Sequence, residues 1–188
     1  MATTTITPTQ MHTQDYFNRA VATLIEQNPK INKFALPKIA KVVINTGVGK
    51  FDNKQKQEVT DYIEKLTGQI PKKVLSRVSI SSFKVRKGDV VGAMTTLRGK
   101  KAQDFVFQLI YVALPRTRDF KGIKGSSFDN KFSCYTIGID NASIFPAIGF
   151  DIQYNFGMQI NVSFEHPTPE NVNLLKSLTF PFKKINNI

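Results

Sequence analysis

The spacing of five strand-like segments limits the folds open to this chain. Residues 39–46 are rich in β-branched side chains and alternate in polarity, and every second residue of segment 158–164 is apolar. Both patterns are typical of strands that turn one face to a core. Similar segments cover residues 72–78, 90–98 and 135–139. Several of the five lie too close together for the helical crossovers that a parallel sheet requires, so we predict a largely antiparallel sheet.

Four segments with apolar residues at helical spacing accompany these strands. They begin at Thr13 and end before Asn28, cover residues 54–67 and 100–113, and start again after Thr168. Gly68 is expected to end the second helix and Pro115 the third, and Thr168 is expected to cap the last. The predicted architecture is therefore α+β, a five-stranded sheet with helices packed on one face and the other face left for a partner.

The domain organisation is predicted to be simple. Residues 13–188 contain no long linker, composition shift or internal repeat, and they are expected to form one domain. Residues 1–12 begin with a Thr-rich, uncharged stretch and are expected to be a disordered tail.

The charge of the chain favours a polyanionic partner. There are 26 Lys and Arg against 14 Asp and Glu, a net charge of +12. Neutralising nucleic-acid phosphates releases counterions, which makes RNA or DNA the first candidate; an anionic membrane surface and an inert solvated surface are the alternatives. The cations concentrate in segments 77–89 and 116–124, which read as loops suited to phosphate contacts.

The sequence offers little for catalysis or metal binding. His12 falls in the predicted tail, His166 in a turn, and Cys134 has no companion at metal-ligand spacing. The pair Gly47 and Gly49 lacks the further residues of a nucleotide-binding loop. We therefore predict a protein that is not an enzyme, with no catalytic residue, metal, cofactor or small-molecule substrate. No apolar stretch is long enough to span a membrane.

Eight short motifs, in this order, give the chain a specific resemblance. They are KVVINTGVG (41–49), LTGQIP (66–71), SFKVRKG (82–88), TLRG (96–99), LPRTRDFKG (114–122), FD (128–129), IFP (144–146) and FPFKK (180–184). Together they resemble the family of large-subunit ribosomal protein five, the bacterial-type protein that binds 5S ribosomal RNA. The resemblance covers residues 15–184.

The resemblance implies a structural constituent of the large ribosomal subunit that holds 5S rRNA in the central protuberance and also contacts large-subunit rRNA. The sheet-face positions that match the family's RNA contacts are Asn45, Gln69 and Thr96. Their uncharged donors and acceptors suit the 2′-hydroxyls of a wide RNA minor groove. We add the adjacent cations Lys72, Lys73 and Arg98 to this predicted 5S rRNA site.

The resemblance also implies roles for the two basic loops. The loop between the second and third strands is expected to approach P-site tRNA through Arg77, Lys84, Arg86 and Lys87. Leu75 and Val78 stand where lysine is common in the family, which implies a weaker tRNA contact. The later loop is expected to meet small-subunit ribosomal protein thirteen in an intersubunit bridge through Arg116, Arg118, Lys121 and Lys124.

Three other classes of protein are alternatives. A basic RNA-binding regulator outside the ribosome would share the charge but not the motif order, and a membrane-surface protein would need a basic amphipathic helix. An enzyme would need a base or metal site that the sequence lacks. We expect the ribosome to be that of a bacterial cytoplasm, with an organellar ribosome as the alternative.

Overall fold

The structure is a computed structural model, and it describes residues 13–27, 32, 36–83, 85–118, 120, 122, 127–148, 155–166 and 168–182. The predicted tail, residues 1–12, lies outside these ranges, as do Lys84, Lys121 and Lys124. The single domain over residues 13–188 therefore stays a prediction. Across the described residues no helix is long and apolar enough to cross a membrane.

Five strands form one sheet, as predicted. They are β1 (Ile39–Gly47), β2 (Lys72–Leu75), β3 (Val90–Leu97), β4 (Cys134–Ile139) and β5 (Met158–Phe164). Their order across the sheet is β2-β3-β1-β5-β4, and all four pairings are antiparallel. The prediction of an α+β fold with an antiparallel sheet is confirmed.

Strand β2 ends three residues before the predicted position, Val78. Its register with β3 shifts between Val74 and Leu75. The Ser76 hydroxyl then donates a hydrogen bond to the carbonyl of Val78 at 2.7 Å, which closes a local turn. The chain therefore leaves the sheet, although the β-branched pattern continues.

Four helices accompany the sheet: α1 (Thr13–Gln27), α2 (Asn53–Thr67), α3 (Lys100–Gln108) and α4 (Glu170–Ser177). Gly68 ends α2 as predicted: it adopts a left-handed conformation with φ 62°, and its N–H donates to the Glu64 carbonyl at 2.7 Å. Pro115 does not end the third helical segment. The chain continues through a π-helical turn at Leu109–Ala113 into a 3-10 turn at Leu114–Arg116. Pro115 lies in the first residues of that turn, where a backbone N–H has no partner within the turn, so the proline is tolerated.

The start of α4 differs from the predicted cap. Pro169 occupies the capping position in a helical conformation, and the buried Thr168 hydroxyl has no hydrogen-bond partner among the described residues. The backbone carbonyl of Thr168 accepts instead, from the N–H of Asn171 at 3.1 Å. The fully buried Asn171 amide donates to the carbonyls of Phe132 and His166, both at 2.7 Å, and so ties this end of α4 to the turn before β4.

The helices cover one face of the sheet and form the core with it. Side chains at alternate strand positions, such as Val42, Ile44 and Val162, are fully buried in this core. Helix α3 contributes Phe105 and Val106 to the same cluster. The opposite face of the sheet carries mostly half-buried and exposed side chains, which leaves it open.

Tyr16 connects α1 to the end of α4. Its hydroxyl donates a hydrogen bond to the carbonyl of Leu178, and its ring lies edge-on to Phe107 and Tyr111, with centroids 5.4 and 5.3 Å away. Burial, together with the neighbouring Tyr111, raises the pKa of Tyr16 above its ordinary value. The hydroxyl therefore remains a protonated donor at neutral pH.

Replacing Tyr16 with Phe is expected to lower the free energy of unfolding by about 1–3 kcal/mol, because the Leu178 carbonyl loses its partner in a partly buried site. Urea unfolding followed by circular dichroism measures the change. Tyr62→Phe is the control, since the half-buried Tyr62 packs on Phe156 and its hydroxyl makes no hydrogen bond within the described ranges. Equal losses in the two variants would show that the Tyr16 hydrogen bond does not stabilise the fold.

Candidate nucleic-acid interface

The face of the sheet opposite the helices carries polar side chains from all five strands. Residues paired across antiparallel strands point to the same side, so the register identifies every member of this face. We call it the open face and define it as Lys41, Val43, Asn45, Gly47, Lys72, Val74, Gly92, Met94, Thr96, Cys134, Thr136, Gly138, Gln159, Asn161 and Ser163.

Asn45 stands at the centre of the open face. It pairs with Met94 on one side and Gln159 on the other, and it is exposed. Thr96 lies two residues from Met94 along β3, so it is the diagonal neighbour of Asn45 on the same face. The next residue inward, Thr95, faces the helices and is buried. The structure thus brings two of the three predicted RNA-contact residues together.

Gln69 is exposed, but it lies in the turn after α2 and not on a strand. The Thr67 hydroxyl holds that turn: it accepts from the Gln69 N–H at 3.3 Å and donates to the Gln69 carbonyl at 3.0 Å. The turn leads within three residues into Lys72 at the edge of the sheet. None of the three predicted residues is sealed in the core.

The predicted cations near this face do not all lie on the same side of the sheet. Lys72 pairs with Met94 and belongs to the open face. Lys73 points to the helix side, where its ammonium donates to Gln57 Oε1 of α2 at 3.0 Å. Arg98 is exposed directly after β3. The structure therefore separates Lys73 from the other members of the predicted site.

The open face carries positive but no negative charge. Among its fifteen members, all of which are described, two are lysines and none is Asp or Glu. Its other polar groups are hydroxyls, side-chain amides and one thiol. Such a surface offers hydrogen bonds without repelling a phosphate backbone, so it fits a polyanion with exposed sugar hydroxyls.

Sequence reasoning missed the half of this face that belongs to β4 and β5. Gln159 is exposed, and the Thr136 hydroxyl donates to Asn161 Oδ1 at 2.8 Å. The signal was present in the alternation of residues 158–164: apolar positions that face a core leave the intervening Gln159 and Asn161 on the other side.

The loop between β2 and β3 is ordered by its own polar contacts. Ile80 and Val85 form an isolated bridge around a 3-10 turn, and the N–H of Lys87 donates to Ser79 Oγ at 2.9 Å. Arg77, Arg86 and Lys87 are exposed on this loop, whereas Lys84 lies outside the described residues.

The same loop carries several exposed apolar side chains. Leu75 and Val78, which stand where the family commonly has lysine, are 54% and 63% exposed, and Phe83 at the tip is 74% exposed. The side chains of Leu75 and Val78 thus have no packing role that would explain them, and the loop presents a mixed basic and apolar surface.

The predicted bridge residues lie at the far end of the third helical segment. Arg116 and Arg118 are exposed there and line a cleft of about 1120 Å³ beside Thr136 and Gly138 of β4. Lys121 and Lys124 fall outside the described residues. Phe156 is buried and stacks on Tyr62 with ring centroids 6.4 Å apart.

The described ranges assemble no metal centre from His, Cys, Asp and Glu side chains. No group of three or more His, Cys, Asp and Glu side chains that could hold a metal ion occurs there. The Cys134 thiol donates to Ser163 Oγ at 3.5 Å, as a small polar member of the open face.

Comparison with protein families accounts for most of the chain. The family described as "Ribosomal protein L5" matches residues 27–86, and the C-terminus of the same ribosomal family, described separately, matches residues 90–182. The two matches divide the sheet, since β1 and β2 fall in the first and β3, β4 and β5 in the second.

Bacterial proteins named large ribosomal subunit protein uL5 align with nearly the whole chain. The protein of Marinomonas sp. is 37% identical over 175 residues, covering 91% of this chain and 97% of the relative. That of Flavobacterium johnsoniae is 38% identical over 175 residues (91% and 95%), and that of Mesoplasma florum 42% over 153 residues (79% and 84%). The chain therefore belongs to the ribosomal protein L5 family, the structural, non-enzymatic proteins uL5 of the large ribosomal subunit.

Proposed function

We propose that the open face binds 5S rRNA and holds it in the central protuberance of a bacterial-type large subunit. The observation that carries this proposal is the composition of the face: uncharged donors and acceptors with two lysines and no carboxylate. The minor groove of A-form RNA is wide and shallow and displays 2′-hydroxyls and base edges. A sheet surface can lie against such a groove, and short polar side chains can reach it.

Asn45 and Thr96 are the proposed centre of the contact. Asn45 is exposed, and its side-chain amide makes no hydrogen bond within the described structure, so it keeps both donors and an acceptor for RNA. Thr96 adds a hydroxyl at the diagonal position. Gln69, Lys72 and Arg98 extend the contact around the β2–β3 side of the sheet, where the cations meet phosphates.

Separate surfaces are proposed for the other partners. The exposed cations Arg77, Arg86 and Lys87 would contact P-site tRNA from the β2–β3 loop, together with Lys84. Arg116 and Arg118 would contact small-subunit ribosomal protein thirteen from the end of the third helical segment, together with Lys121 and Lys124. Large-subunit rRNA would contact the remaining basic surface. The exposure of the described cations supports these roles, because their side chains can be reached by a partner.

Replacing Thr96 with Val is expected to weaken 5S rRNA binding by roughly five- to 150-fold, equivalent to about 1–3 kcal/mol. The change keeps the shape of the side chain and deletes the hydroxyl that would pair with RNA. Filter binding or calorimetry with the purified full chain and 5S rRNA measures the affinity.

Thr95→Val is the matched control for Thr96→Val. Thr95 is the neighbouring residue, but its hydroxyl is buried on the helix side without a partner among the described residues. Its replacement is expected to leave RNA affinity unchanged and to raise the free energy of unfolding by about 1 kcal/mol, because an unpaired buried hydroxyl is removed. Equal RNA affinities for both variants and the wild type would place the RNA site elsewhere.

The salt dependence of 5S rRNA binding is expected to be shallow. Lys41, Lys72 and Arg98 are the cations on or beside the part of the open face that β1, β2 and β3 form, and each neutralised phosphate contributes about −0.7 to −0.9 to the log–log slope. The expected slope is therefore about −2 to −3. A slope of about −7 would contradict the proposed division of roles, because the loop cations would then have to contact 5S rRNA phosphates as well.

Arg77→Ala is expected to lower the affinity for P-site tRNA by about two- to fivefold, because one exposed charge contact contributes a free energy of that size. The affinity for 5S rRNA is expected to stay unchanged. The dissociation rate of P-site tRNA from ribosomes reconstituted with the variant measures the first effect. Lys54→Ala removes an equally exposed cation from α2 and serves as the control. Loss of 5S rRNA binding in Arg77→Ala would show that the loop and the open face form one site.

A further inference from the structure

Gly138 occupies a position in the sheet that the described fold does not require to be glycine. It lies within β4, on the open face, and its φ is not positive. A Cβ atom built there meets no described atom within 4 Å. Glycine inside a strand weakens the strand, because it adds backbone freedom and contributes no packing. A glycine in such a position is typical of a site where another molecule approaches the backbone closely.

Two other strand-associated glycines have reasons within the chain, whereas Gly47, at the end of β1 on the same face, also meets no described atom within 4 Å. A Cβ at Gly92 would lie 3.2 Å from the Thr46 carbonyl oxygen and 3.6 Å from Val74 Cβ. A Cβ at Gly157 would lie 3.0 Å from the carbonyl oxygen of Ile139. The fold itself therefore excludes side chains at both positions. Gly138 differs from Gly92 and Gly157 because its Cβ would meet no described atom of the chain, which leaves room for another molecule to approach the backbone there.

The neighbours of Gly138 indicate what that molecule is. Gly138 pairs with Gln159, which is exposed and makes no side-chain hydrogen bond within the described structure. The Thr136 hydroxyl donates a hydrogen bond to Asn161 Oδ1 at 2.8 Å. The Nδ2 group of Asn161 can therefore still donate to a partner. The amide groups of Gln159 and Asn161 can therefore donate hydrogen bonds to a partner on this half of the face.

Charge complementarity favours a polyanion at Gly138. The open face contains no carboxylate, and Arg116 and Arg118 line the cleft beside Gly138. Asp140, just beyond the end of β4, is the one acid among the described residues that line the same cleft, against the two arginines. An RNA sugar–phosphate strand satisfies the space, the donors and the charge together.

We infer that the RNA contact extends across β5 and β4, with a sugar–phosphate strand closest to the protein backbone at Gly138 and with Gln159 and Asn161 donating hydrogen bonds to it. This inference rests on the proposed function and widens the contact from β1 and β3 to the full sheet. Three strand spacings separate Thr96 from Gly138, about 14 Å, so the two positions report on different parts of the bound RNA.

The test adds bulk at Gly138 in two steps, Gly138→Ala and Gly138→Val, in the full chain. The midpoint of urea unfolding is expected to stay the same or rise, because the added Cβ meets no described atom within 4 Å and valine favours a strand. Affinity for 5S rRNA is expected to fall about threefold with Ala and at least tenfold with Val. A stable variant that binds less RNA cannot be explained by a role of Gly138 in folding.

Gln159→Ala is the second variant, and it stays informative if valine at position 138 prevents folding. It removes an exposed amide with no partner in the described chain, so stability is expected to be unchanged and 5S rRNA affinity to fall about fivefold. Wild-type affinity in both Gly138→Val and Gln159→Ala, alongside a loss in Thr96→Val, would overturn the inference and leave the proposed function in place. No 5S rRNA binding by the wild-type chain would overturn both.

Discussion

The pairing of β1 with strands on both of its sides is the constraint on which the rest of the molecule depends. It aligns Asn45 with Met94 and Gln159 in one row, and Ile44 with Thr95 and Ile160 in the next. Because side chains alternate between faces, this register decides at once which residues build the core and which meet a partner. A slip of one residue would exchange the two sets, and burial of the apolar set against the helices prevents it.

The sheet and the loops use different physical means to meet RNA. On the open face the groups are short and mostly uncharged, held in place by a rigid backbone, and they suit recognition of shape and sugar hydroxyls. In the loops the groups are long cations, which attract phosphates over a distance set by the ionic strength. If the proposed roles hold, this separation makes the contact of the open face less sensitive to salt than the contacts of the loops.

Much of the fold could be predicted because polarity alternates in its strands and has helical spacing in its helices. The errors arose where a local hydrogen bond or a proline overrode the pattern. A serine turn ends β2 before Val78, and a proline in helical conformation takes the capping position from Thr168. The site was predicted less completely, since only strand pairing shows that Lys73 faces α2 and that Gln159 and Asn161 continue the surface around Asn45. The order of the strands in the sheet is set by contacts between distant segments, so the pattern within any one segment could not predict it.

The distance along the chain between β1 and β5 has a consequence for the synthesis of the protein. These strands are direct neighbours, although Asn45 and its partner Gln159 lie at opposite ends of the sequence. Sheets built from such distant pairings form slowly, because the loop-closure entropy must be overcome before the contacts form. While the chain is still emerging during translation, β1 has a partner on one side only. The open face is therefore complete only after β5 has been synthesised and has paired with β1.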